Sequence, residues 1–462
     1  MDLIALSATE AVRLMRAGDL LVEQYAKAIV DRIAGLNSLN AFASFDAGLV
    51  LTQARYLDKA RAGGEKPGPL FGLPIAVKDN ICTGDYPTAA GTEALRAYRS
   101  PHNAPVLQTL LDQGALVAGK TNMHELALGI TSNNGAFGAV RNPHNMDMIP
   151  GGSSGGSAVA VAAGMTPVAL GTDTGTSVRL PAALCGIVGL RPTLGRYGAE
   201  GVFPVSSTRD TIGPMARTVE DVQFLDRAIT GSEDRSHMRD LSGICIGVPR
   251  EHFYNNLDPD VETTMNSALD MLDDLGAELI EVNIPDVAAL NDDISFTLVE
   301  YEAVADLKHF LQRTGVSLED VIENIKSPDV KSLYEAITKE RPVPRKVYEH
   351  AIRVGRPKLQ AVYRRYFKAN ALNAVVFPTA PMPARPIGQD DTVELNGKQV
   401  STFMGFVRNT EPASVAGIPG LSIPAGYTAS GLPVGIEFDG PENSDRDLMT
   451  IAQVFQKATG HS

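Results

Sequence analysis

Apolar residues recur at helical intervals in the first part of the chain. Between residues 7 and about 62 their recurrence fits helices with one buried face. They are Leu14, Leu20, Leu21, Ala26, Ile29, Ile33 and Leu36. Ser7 and Glu10 have the spacing of a capping box, so a helix is expected to begin after Ser7. The Gly- and Pro-rich residues 63–69 end this part, and we predict N-terminal helices over residues 1–65.

Over residues 71–230 the pattern changes to short apolar runs separated by glycine-rich turns. The runs at 75–77, 115–118 and 168–170 are short enough for strands and show no polar alternation, which is typical of strands buried on both faces. Small-residue helices lie between them. Strands that alternate with helices predict an α/β fold with helices on both faces of a sheet.

The rest of the chain divides into a linker, a helical part and a return of short strands. Residues 231–240 are polar and aperiodic, which predicts a surface linker. Residues 258–370 are charged and mostly helical in pattern, and we call them the helical insertion. The short-strand pattern returns over residues 371–462. We therefore predict one domain over residues 1–462, whose core at 71–230 resumes after the insertion.

The charge balance excludes several classes of partner. The 462 residues include 41 Lys and Arg against 54 Asp and Glu, a formal net charge of -13. Phosphate-binding surfaces carry the opposite sign, so neither nucleic acid nor an anionic membrane is expected as a partner. The nearest approach to a membrane span, residues 158–170, is too short and contains Gly164 and Pro167. Residues 1–4 lack the basic region of a signal peptide.

Cysteine usage indicates a reducing compartment. The three cysteines, Cys82, Cys185 and Cys245, lie far apart in the sequence and do not form a metal-ligand spacing. A sparse and odd number of cysteines suits the cytoplasm. We therefore expect a cytoplasmic protein that uses no metal and no other cofactor.

One motif suggests nucleotide chemistry. Residues 114–121 match the phosphate-binding pattern G-x-x-x-x-G-K-[ST] at every position. A phosphate loop presents its backbone amides to the ligand and follows a strand. Here the four middle residues are apolar, and residues 106–113 before them have a helical pattern. The context favours a buried strand over a nucleotide site.

A second motif suggests an α/β-hydrolase. Residues 151–155 match the nucleophile elbow G-x-S-x-G, with Ser153 at its centre. An elbow follows a strand directly and needs an acid and then a histidine downstream. Residues 141–150 are polar and turn-rich, and the later histidines fall in the linker, the insertion or the C-terminal tail. The context again disfavours the motif.

A third set combines a lysine with two serine-containing turns. Lys78 ends an apolar run, and burial there would lower its pKa and leave a neutral amine able to accept a proton from a serine. The Gly/Ser loop 151–157 and the small-residue turn 171–181, which contains Ser177, leave backbone free to approach a substrate. From position alone, a pair of Lys78 with Asp79 is favoured, and Ser177 is as well explained as a helix cap.

Taken together, these residues resemble the amidase signature family. The family has a V-K-D lysine, then a GGSSGGS stretch, then GTDTGGS-[IV]-R-x-PA. The segments that match in order are residues 77–79, 151–157, 171–182, 185–193, 416–419 and 421–424. Ser177 follows Ser153 by 24 residues, as in the family pattern. The resemblance covers nearly the whole chain outside the insertion and implies a large mixed β-sheet sandwiched between α-helices, with the insertion over the active site.

The resemblance also implies a role for each residue. Lys78 becomes the base, Ser153 a bridging serine after a cis peptide bond, and Ser177 the nucleophile of a Ser-cisSer-Lys triad. The implied oxyanion hole consists of the backbone N–H groups of Thr174, Gly175, Thr176 and Ser177. One position departs from the pattern, because Thr176 stands where the family has glycine. Its side chain is expected to restrict the backbone and narrow the site, or its hydroxyl to form a hydrogen bond.

Within the family the chain resembles the bacterial indoleacetamide hydrolases. The stretches that carry this resemblance are residues 122–126, 129–134, 177–186, 191–197, 207–211, 327–330 and 384–390. They imply a small-molecule partner, indole-3-acetamide, converted to the auxin indole-3-acetate and ammonia. Mandelamide hydrolases, carbamate-cleaving amidases and the A subunit of glutamine-dependent amidotransferases are similar enough to stay as alternatives. A homodimer is the expected assembly.

An arylacetamide needs a flat apolar slot beside the nucleophile. The candidates for it are Leu126, Ile130, Phe137, Ile149, Phe403 and Phe406. Ordinary core packing also explains each of these residues. We further hypothesise that the helical insertion covers the slot and screens it from water.

Overall fold

Three helices precede the first long strand, as the apolar periodicity predicts. The computed structural model describes residues 2–232 and 238–460, so residues 233–237 of the predicted linker lie outside it. The helices are α1 (Ala8–Ala17), α2 (Val22–Gly35) and α3 (Ala47–Ala62). The side chain of Ser7 accepts a hydrogen bond from the Glu10 amide at 3.1 Å, which fixes the start of α1. A short strand, β1 (Phe42–Ser44), interrupts the region that was predicted to be helical.

The further strands are β2 (Pro74–Lys78), β3 (Leu116–Thr121), β4 (Asn133–Asn134), β5 (Gly138–Ala139), β6 (Val168–Asp173), β7 (Val188–Arg191), β8 (Thr211–Ala216), β9 (Cys245–Gly247), β10 (Glu278–Ile280), β11 (Ala374–Pro378), β12 (Thr392–Leu395), β13 (Lys398–Ser401), β14 (Gly420–Tyr427) and β15 (Pro433–Asp439). Three of them, β2, β3 and β6, overlap the predicted apolar runs at 75–77, 115–118 and 168–170.

The further helices cover the sheet and build most of the insertion. They are α4 (Pro105–Leu111), α5 (Gly155–Ala162), α6 (Arg179–Cys185), α7 (Val219–Thr230), the irregular turn α8 (Arg250–Phe253), α9 (Pro259–Asp274), α10 (Val287–Leu311), α11 (Leu318–Asn324), α12 (Pro328–Glu335), α13 (Arg345–His350), α14 (Arg356–Ala369), α15 (Thr402–Val407), α16 (Glu411–Ala416) and α17 (Asp445–Thr459). Shorter 3-10 turns occur at Asn37–Leu39, Glu93–Leu95 and Glu125–Ala127, and π-helical turns at Ala336–Glu340 and Ala351–Gly355.

In the described residues, eleven strands form one mixed sheet in the order β1-β3-β2-β6-β8-β7-β14-β15-β11-β9-β10. Strand β2 is parallel to both β3 and β6, whereas β6, β8, β7, β14 and β15 pair in antiparallel fashion. Every residue of β2, β3 and β6 is buried, which explains their unbroken apolar patterns. The predicted α/β fold with a large mixed sheet is confirmed.

The segment that matches the phosphate-binding pattern is part of this sheet. Residues 116–121 form strand β3, and helix α4 precedes it. The side chain of Lys120 is fully buried, and its ammonium donates to the carbonyls of Ile81 (2.6 Å) and Pro87 (3.3 Å) and to the hydroxyl of Thr88 (3.0 Å). The backbone amides pair within the sheet and do not form a phosphate nest, so the pattern match has no nucleotide site behind it.

The helical insertion contains two structural parts. Its first part, α9 and β10, packs on the sheet, because Val261, Met265 and Leu272 of α9 belong to the main hydrophobic core and β10 pairs with β9. From α10 to α14 the insertion packs in two further hydrophobic clusters, each shared with residues outside the insertion. Buried Glu302 of α10 joins this second part to the core by accepting hydrogen bonds from the hydroxyls of Ser206 and Thr208.

Among residues 2–232 and 238–460, the helices are all too short or too polar to cross a bilayer.

Candidate active site

Two neighbouring parallel strands bring the lysine and the serine turns together. Val77 of β2 lies opposite Leu170 of β6, so Lys78 leaves its strand beside the last residues of β6. The Lys78 side chain is fully buried, and its amine donates to the hydroxyl of Ser153 at 2.8 Å. It also donates to the hydroxyl of Thr172 at 2.8 Å and to the Thr172 carbonyl at 3.3 Å. Lys78 and Ser153, far apart in the sequence, therefore meet at the carboxyl end of β2.

The surroundings of Lys78 favour a neutral amine. Burial lowers the pKa of Lys78 to about 7, although the carboxylates of Asp173 and Asp210 act in the opposite direction. The hydrogen bonds from its amine to Ser153 and Thr172 fix its direction. A lysine with this pKa has a substantial neutral fraction near neutral pH and can accept a proton from a hydroxyl.

The Gly/Ser loop before α5 holds Ser153 against the lysine. The peptide bond between Gly152 and Ser153 is cis, as the family resemblance implies. A Cβ on Gly152 would lie 2.9 Å from the Ser132 hydroxyl, and one on Gly156 would lie 2.3 Å from the Asn122 carbonyl. Larger residues would therefore push the loop away from its support.

The turn between β6 and α6 carries Ser177, which is 7% exposed. The Ser177 carbonyl accepts a hydrogen bond from the Ser154 amide at 3.2 Å, so the two serine turns are directly joined. The next amide, that of Val178, donates to the Asp173 carboxylate at 3.1 Å. By contrast, within residues 2–232 and 238–460 no acceptor is found for the backbone amides of Thr174, Gly175, Thr176 and Ser177. Four consecutive N–H donors are thus left for a ligand oxygen.

Two buried arginines hold this turn in place. Arg179 donates to both carboxylate oxygens of Asp173 at 3.1 Å and to the Gly175 carbonyl at 2.9 Å. Arg191 donates to the Asp173 carboxylate at 3.0 Å and to its carbonyl at 2.7 Å. Burial would raise the pKa of Asp173, but the two guanidinium groups outweigh it and hold this pKa below its usual range. The ionised carboxylate is a structural anchor of the turn.

Arg209 and Asp210 support the same turn from the other side. The Thr174 hydroxyl donates to the Asp210 carboxylate at 2.5 Å, and the Arg209 guanidinium donates to the Thr174 carbonyl at 3.1 Å. Burial raises the pKa of Asp210 to about 6, against the hydrogen bonds that it accepts. These two residues, like Thr172, were not recognised as site residues from sequence. The only sequence signal was that Arg209 and Asp210 lie in the stretch 207–211 that resembles indoleacetamide hydrolases.

Thr176, the departure from the family pattern, fits without left-handed backbone. Its φ is not among the positive values of the chain, so a side chain at this position carries no such strain. Its carbonyl accepts the Leu180 amide at 2.9 Å in the first turn of α6. The expected hydrogen bond of the hydroxyl is not formed, because in the described part of the chain the buried Thr176 Oγ1 has no partner.

The candidate slot residues fall into separate environments. Ile130, Ile149 and Phe406 belong to one hydrophobic cluster, together with Leu180 and Leu184 of the helix that follows Ser177. The other three lie elsewhere. Leu126 packs in a cluster with residues of the insertion, the ring of Phe137 lies under the Arg96 guanidinium at 4.1 Å, and Phe403 is 37% exposed beside Phe296.

The elbow interpretation of Ser153 does not fit this geometry. The hydroxyl of Ser153 is bonded to Lys78, and no histidine side chain contacts it in the described chain. Residues 141–150 form only isolated bridges, so a strand does not lead into the loop. For the described residues, groups of three His, Cys, Asp or Glu arranged to hold a metal ion were not found.

Comparison with known proteins identifies the family of the chain. The amidase family model matches residues 24–449, and the chain belongs to the amidase family. It is therefore an enzyme that hydrolyses amide bonds. An indoleacetamide hydrolase from Rhizobium radiobacter is 44% identical over 98% of this chain and 97% of its own length. A mandelamide hydrolase from Pseudomonas putida is 39% identical over 98% of this chain and 92% of its own. The crystal structure of an amidase, 32% identical, covers 98% of this chain and 100% of its own with a TM-score of 0.89.

Proposed function

We propose that the chain hydrolyses a small primary amide through an acyl-enzyme, with Ser177 as nucleophile, Ser153 as proton relay and Lys78 as base. The observation that carries the proposal is the 2.8 Å contact between the buried Lys78 amine and the Ser153 hydroxyl, beside a turn with four free amides. Because burial lowers the pKa of this amine to about 7, part of it is neutral near pH 7 and can accept a proton from the neighbouring hydroxyl, which a solvated ammonium cannot do.

In the acylation step, the Ser177 oxygen forms a bond to the amide carbon while its proton passes to Ser153. Ser153 gives its own proton to the neutral amine of Lys78. The carbonyl becomes an oxyanion, which accepts hydrogen bonds from amides among residues 174–177; each such donor is worth about 3–4 kcal/mol in the transition state. When the C–N bond breaks, the proton returns through Ser153 to the leaving nitrogen and ammonia departs.

Deacylation repeats the same sequence with water. A water molecule gives a proton through Ser153 to Lys78 and attacks the ester carbon. As the bond to Ser177 breaks, that proton returns through Ser153 to the Ser177 oxygen, and the carboxylic acid leaves. The net reaction consumes one amide and one water and yields one acid and one ammonia. No further co-reactant is required.

The best-supported substrate class is an arylacetamide, with indole-3-acetamide as our first choice. Two relatives that span nearly the whole chain are named for indoleacetamide and mandelamide, both primary amides with an aryl group near the carbonyl. The apolar cluster of Ile130, Ile149, Phe406 and Leu180 provides the kind of wall that an aromatic ring needs. Ethyl carbamate and glutamine lack such a ring, so they would gain little from this wall.

The test is ammonia release by the purified chain from indole-3-acetamide, mandelamide, phenylacetamide, ethyl carbamate and glutamine. We expect the largest kcat/KM for indole-3-acetamide, and a lower value for glutamine by at least about a hundredfold, since about 3 kcal/mol of ring burial is lost. Ser177→Ala serves as the blank and should release no ammonia above background. A preference for glutamine would instead support an amidotransferase subunit, and one for ethyl carbamate a carbamate-cleaving enzyme.

A further inference from the structure

One loop forms hydrogen bonds to the backbone on both sides of the Gly152–Ser153 peptide bond. The loop runs over residues 122–134, between β3 and β4. The His124 amide donates to the Ser153 carbonyl at 3.1 Å, and the Ser132 hydroxyl donates to the Gly151 carbonyl at 2.9 Å. The carbonyls before and after the Gly152–Ser153 peptide therefore depend on the 122–134 loop for their position.

The imidazole of His124 holds that loop together. The ring is buried, at 1% exposure, and its Nδ1 accepts the Ser132 amide at 3.2 Å. Because Nδ1 accepts a hydrogen bond, the proton of a neutral ring is on Nε2. Gly129 lies against the ring, and a Cβ there would come within 2.1 Å of Nε2. The ring thus links the two residues that hold Ser153, and little room is left for it to turn.

The other nitrogen of His124 faces the helical insertion. Nε2 lies 3.0 Å from a carboxylate oxygen of Asp329, the second residue of α12. The N–H direction departs from that line, so the contact is an electrostatic pair more than a linear hydrogen bond. Burial would raise the pKa of Asp329, but the contact with His124 outweighs it, so this pKa falls below its ordinary value. Asp329 is therefore a carboxylate when it faces the ring.

Other contacts fix the insertion at the same place. The buried carboxylate of Glu125 accepts the amides of Lys326 (3.0 Å) and Ser327 (2.7 Å). The Ser327 hydroxyl accepts the Gly135 amide at 3.0 Å. The start of α12 is thus joined to the 122–134 loop at several points, and the loop is joined to Ser153.

We propose that His124 is a positioning residue for the relay Ser153, and that Asp329 of the insertion keeps it in this position. The proposal rests on the function proposed above, since it needs Ser153 to transfer protons. It assigns the insertion a part in proton transfer in addition to any role as a cover over the substrate. It also explains why the stretches 122–126, 129–134 and 327–330, separate in sequence, lie together in the structure.

The test compares an amide with an activated ester of the same acid. The leaving nitrogen of an amide must receive a proton through Ser153, whereas a p-nitrophenolate leaves without one. Misplacement of Ser153 should therefore lower amide turnover more than ester turnover, whereas general structural damage lowers both alike. We would measure kcat and KM for indole-3-acetamide and for the p-nitrophenyl ester of indole-3-acetic acid, with wild type, Asp329→Ala, Asp329→Asn and His124→Asn.

For Asp329→Ala we expect the amide kcat to fall roughly tenfold and the ester kcat to fall by a smaller factor, with the amide KM within about twofold of wild type. Asp329→Asn keeps the shape of the side chain and an oxygen beside Nε2–H but removes the negative charge, so it should recover only part of this loss. His124→Asn keeps an acceptor for the Ser132 amide but not the contact with Asp329, so it should resemble Asp329→Ala. Glu335→Ala, on the same helix but away from the 122–134 loop, is the matched control and should behave as wild type.

Ser153→Ala is measured beside these variants as the reference for a lost relay. If it lowers the amide-to-ester ratio and Asp329→Ala and His124→Asn do not, the inference about His124 is overturned while the proposed function stands. Parallel loss of amide and ester turnover in Asp329→Ala would equally overturn it, because that pattern belongs to structural damage. An unchanged ratio in Ser153→Ala itself would contradict the proposed function.

Discussion

Two fully buried lysines lie on neighbouring parallel strands, and their surroundings differ in kind. Val77 is opposite Lys120 in the register of β2 and β3, so Lys78 is one residue out of step with Lys120. Successive residues of a strand point to opposite faces, and the two side chains therefore leave the sheet on opposite sides. Lys78 reaches the hydroxyls of Ser153 and Thr172. Lys120 reaches two backbone carbonyls, the Thr88 hydroxyl and, at 4.0 Å, the Asp79 carboxylate.

Burial lowers the pKa of both lysines, to about 7 for Lys78 and about 8 for Lys120. Burial therefore does not distinguish a base from a structural cation. The difference lies in the other partners. Lys120 also contacts a hydroxyl, that of Thr88, but two carbonyls and the Asp79 carboxylate beside it accept hydrogen bonds and favour its charged form. Ser153, beside Lys78, is a hydroxyl that can give a proton away. The pairing of Lys78 with Asp79 that was expected from sequence does not form. Asp79 lies on the same face of the sheet as Lys120, opposite to Lys78.

The sharpest way to break this comparison is to remove each amine in turn and measure activity. Lys78→Met should lower kcat/KM for the amide by about 10²–10⁴, the usual contribution of a general base. Lys120→Met should keep kcat/KM within about threefold per folded molecule, since its partners take no part in proton transfer. Equal losses in the two variants, with both folded by circular dichroism, would contradict the distinction.

The loss of unfolding free energy should be larger for Lys120→Met than for Lys78→Met, the reverse of the order for activity. Lys120→Met leaves the Asp79 carboxylate buried without its counter-charge, together with two carbonyls that lose their donor, and should cost about 3–5 kcal/mol of unfolding free energy. Lys78→Met leaves only hydroxyls and one carbonyl and should cost less. Urea denaturation measures both. The double variant Lys120→Met/Asp79→Asn is the control, and it should recover part of the loss because the buried charge is gone.

The pH dependence of activity should follow the Lys78 amine. Because its pKa is about 7, kcat/KM should rise close to tenfold per pH unit below that value and level off above it. The enzyme is active with a neutral Lys78 amine, so activity increases as the pH rises through the inflection. A profile that is flat from pH 5 to 8 would show that the lysine is not the base.

The same shift has a consequence for stability, with a defined sign. In the unfolded chain Lys78 has its ordinary pKa of 10.5, whereas in the folded chain the pKa is about 7. Between these values the unfolded chain binds a proton that the folded chain has lost, so stability rises with pH across this window and is unaffected by Lys78 below it. The unfolding free energy of wild type relative to Lys78→Met should increase from pH 7 to 10.5. Lys120 titrates in both proteins and cancels in the difference.

Sequence patterns were sufficient for three central strands of the sheet, whereas the roles of the serine turns came from the family resemblance. Strands β2, β3 and β6 are buried on both faces, so their apolar runs identify them. The turn predicted at 171–181 is shorter in the structure, because β6 extends to Asp173 and α6 begins at Arg179. The short strands β1 and β10 were missed because three residues carry too little periodicity to separate them from neighbouring helices.

Contacts that depend on tertiary packing could not be predicted from the sequence. The pair of His124 and Asp329 joins residues about two hundred positions apart, on a loop and on the insertion. Nothing local in either stretch indicates the other. The role of Thr172 was also hidden, since a threonine in a strand is well explained by its β propensity alone. Register decides such contacts, because a shift of one residue would turn the Thr172 hydroxyl away from Lys78.

The smallest expected change in activity concerns the threonines. Each lysine contacts one threonine hydroxyl, so replacing Thr172 or Thr88 by valine gives two matched variants. Thr172→Val removes an acceptor of the Lys78 amine, so the amine should lose orientation and kcat should fall roughly threefold to tenfold. An acceptor favours the charged form, so its loss should also move the inflection of the pH–rate profile below 7.

Thr88→Val removes the equivalent acceptor of Lys120 and should cost about 1.5–3 kcal/mol of stability, the range for a hydrogen bond to a charged group. Its pH–rate profile should match wild type. If the inflection moved in Thr88→Val and stayed in Thr172→Val, the assignment of the proton-accepting amine to Lys78 would have to be reversed, because each threonine reports only on the lysine that it contacts.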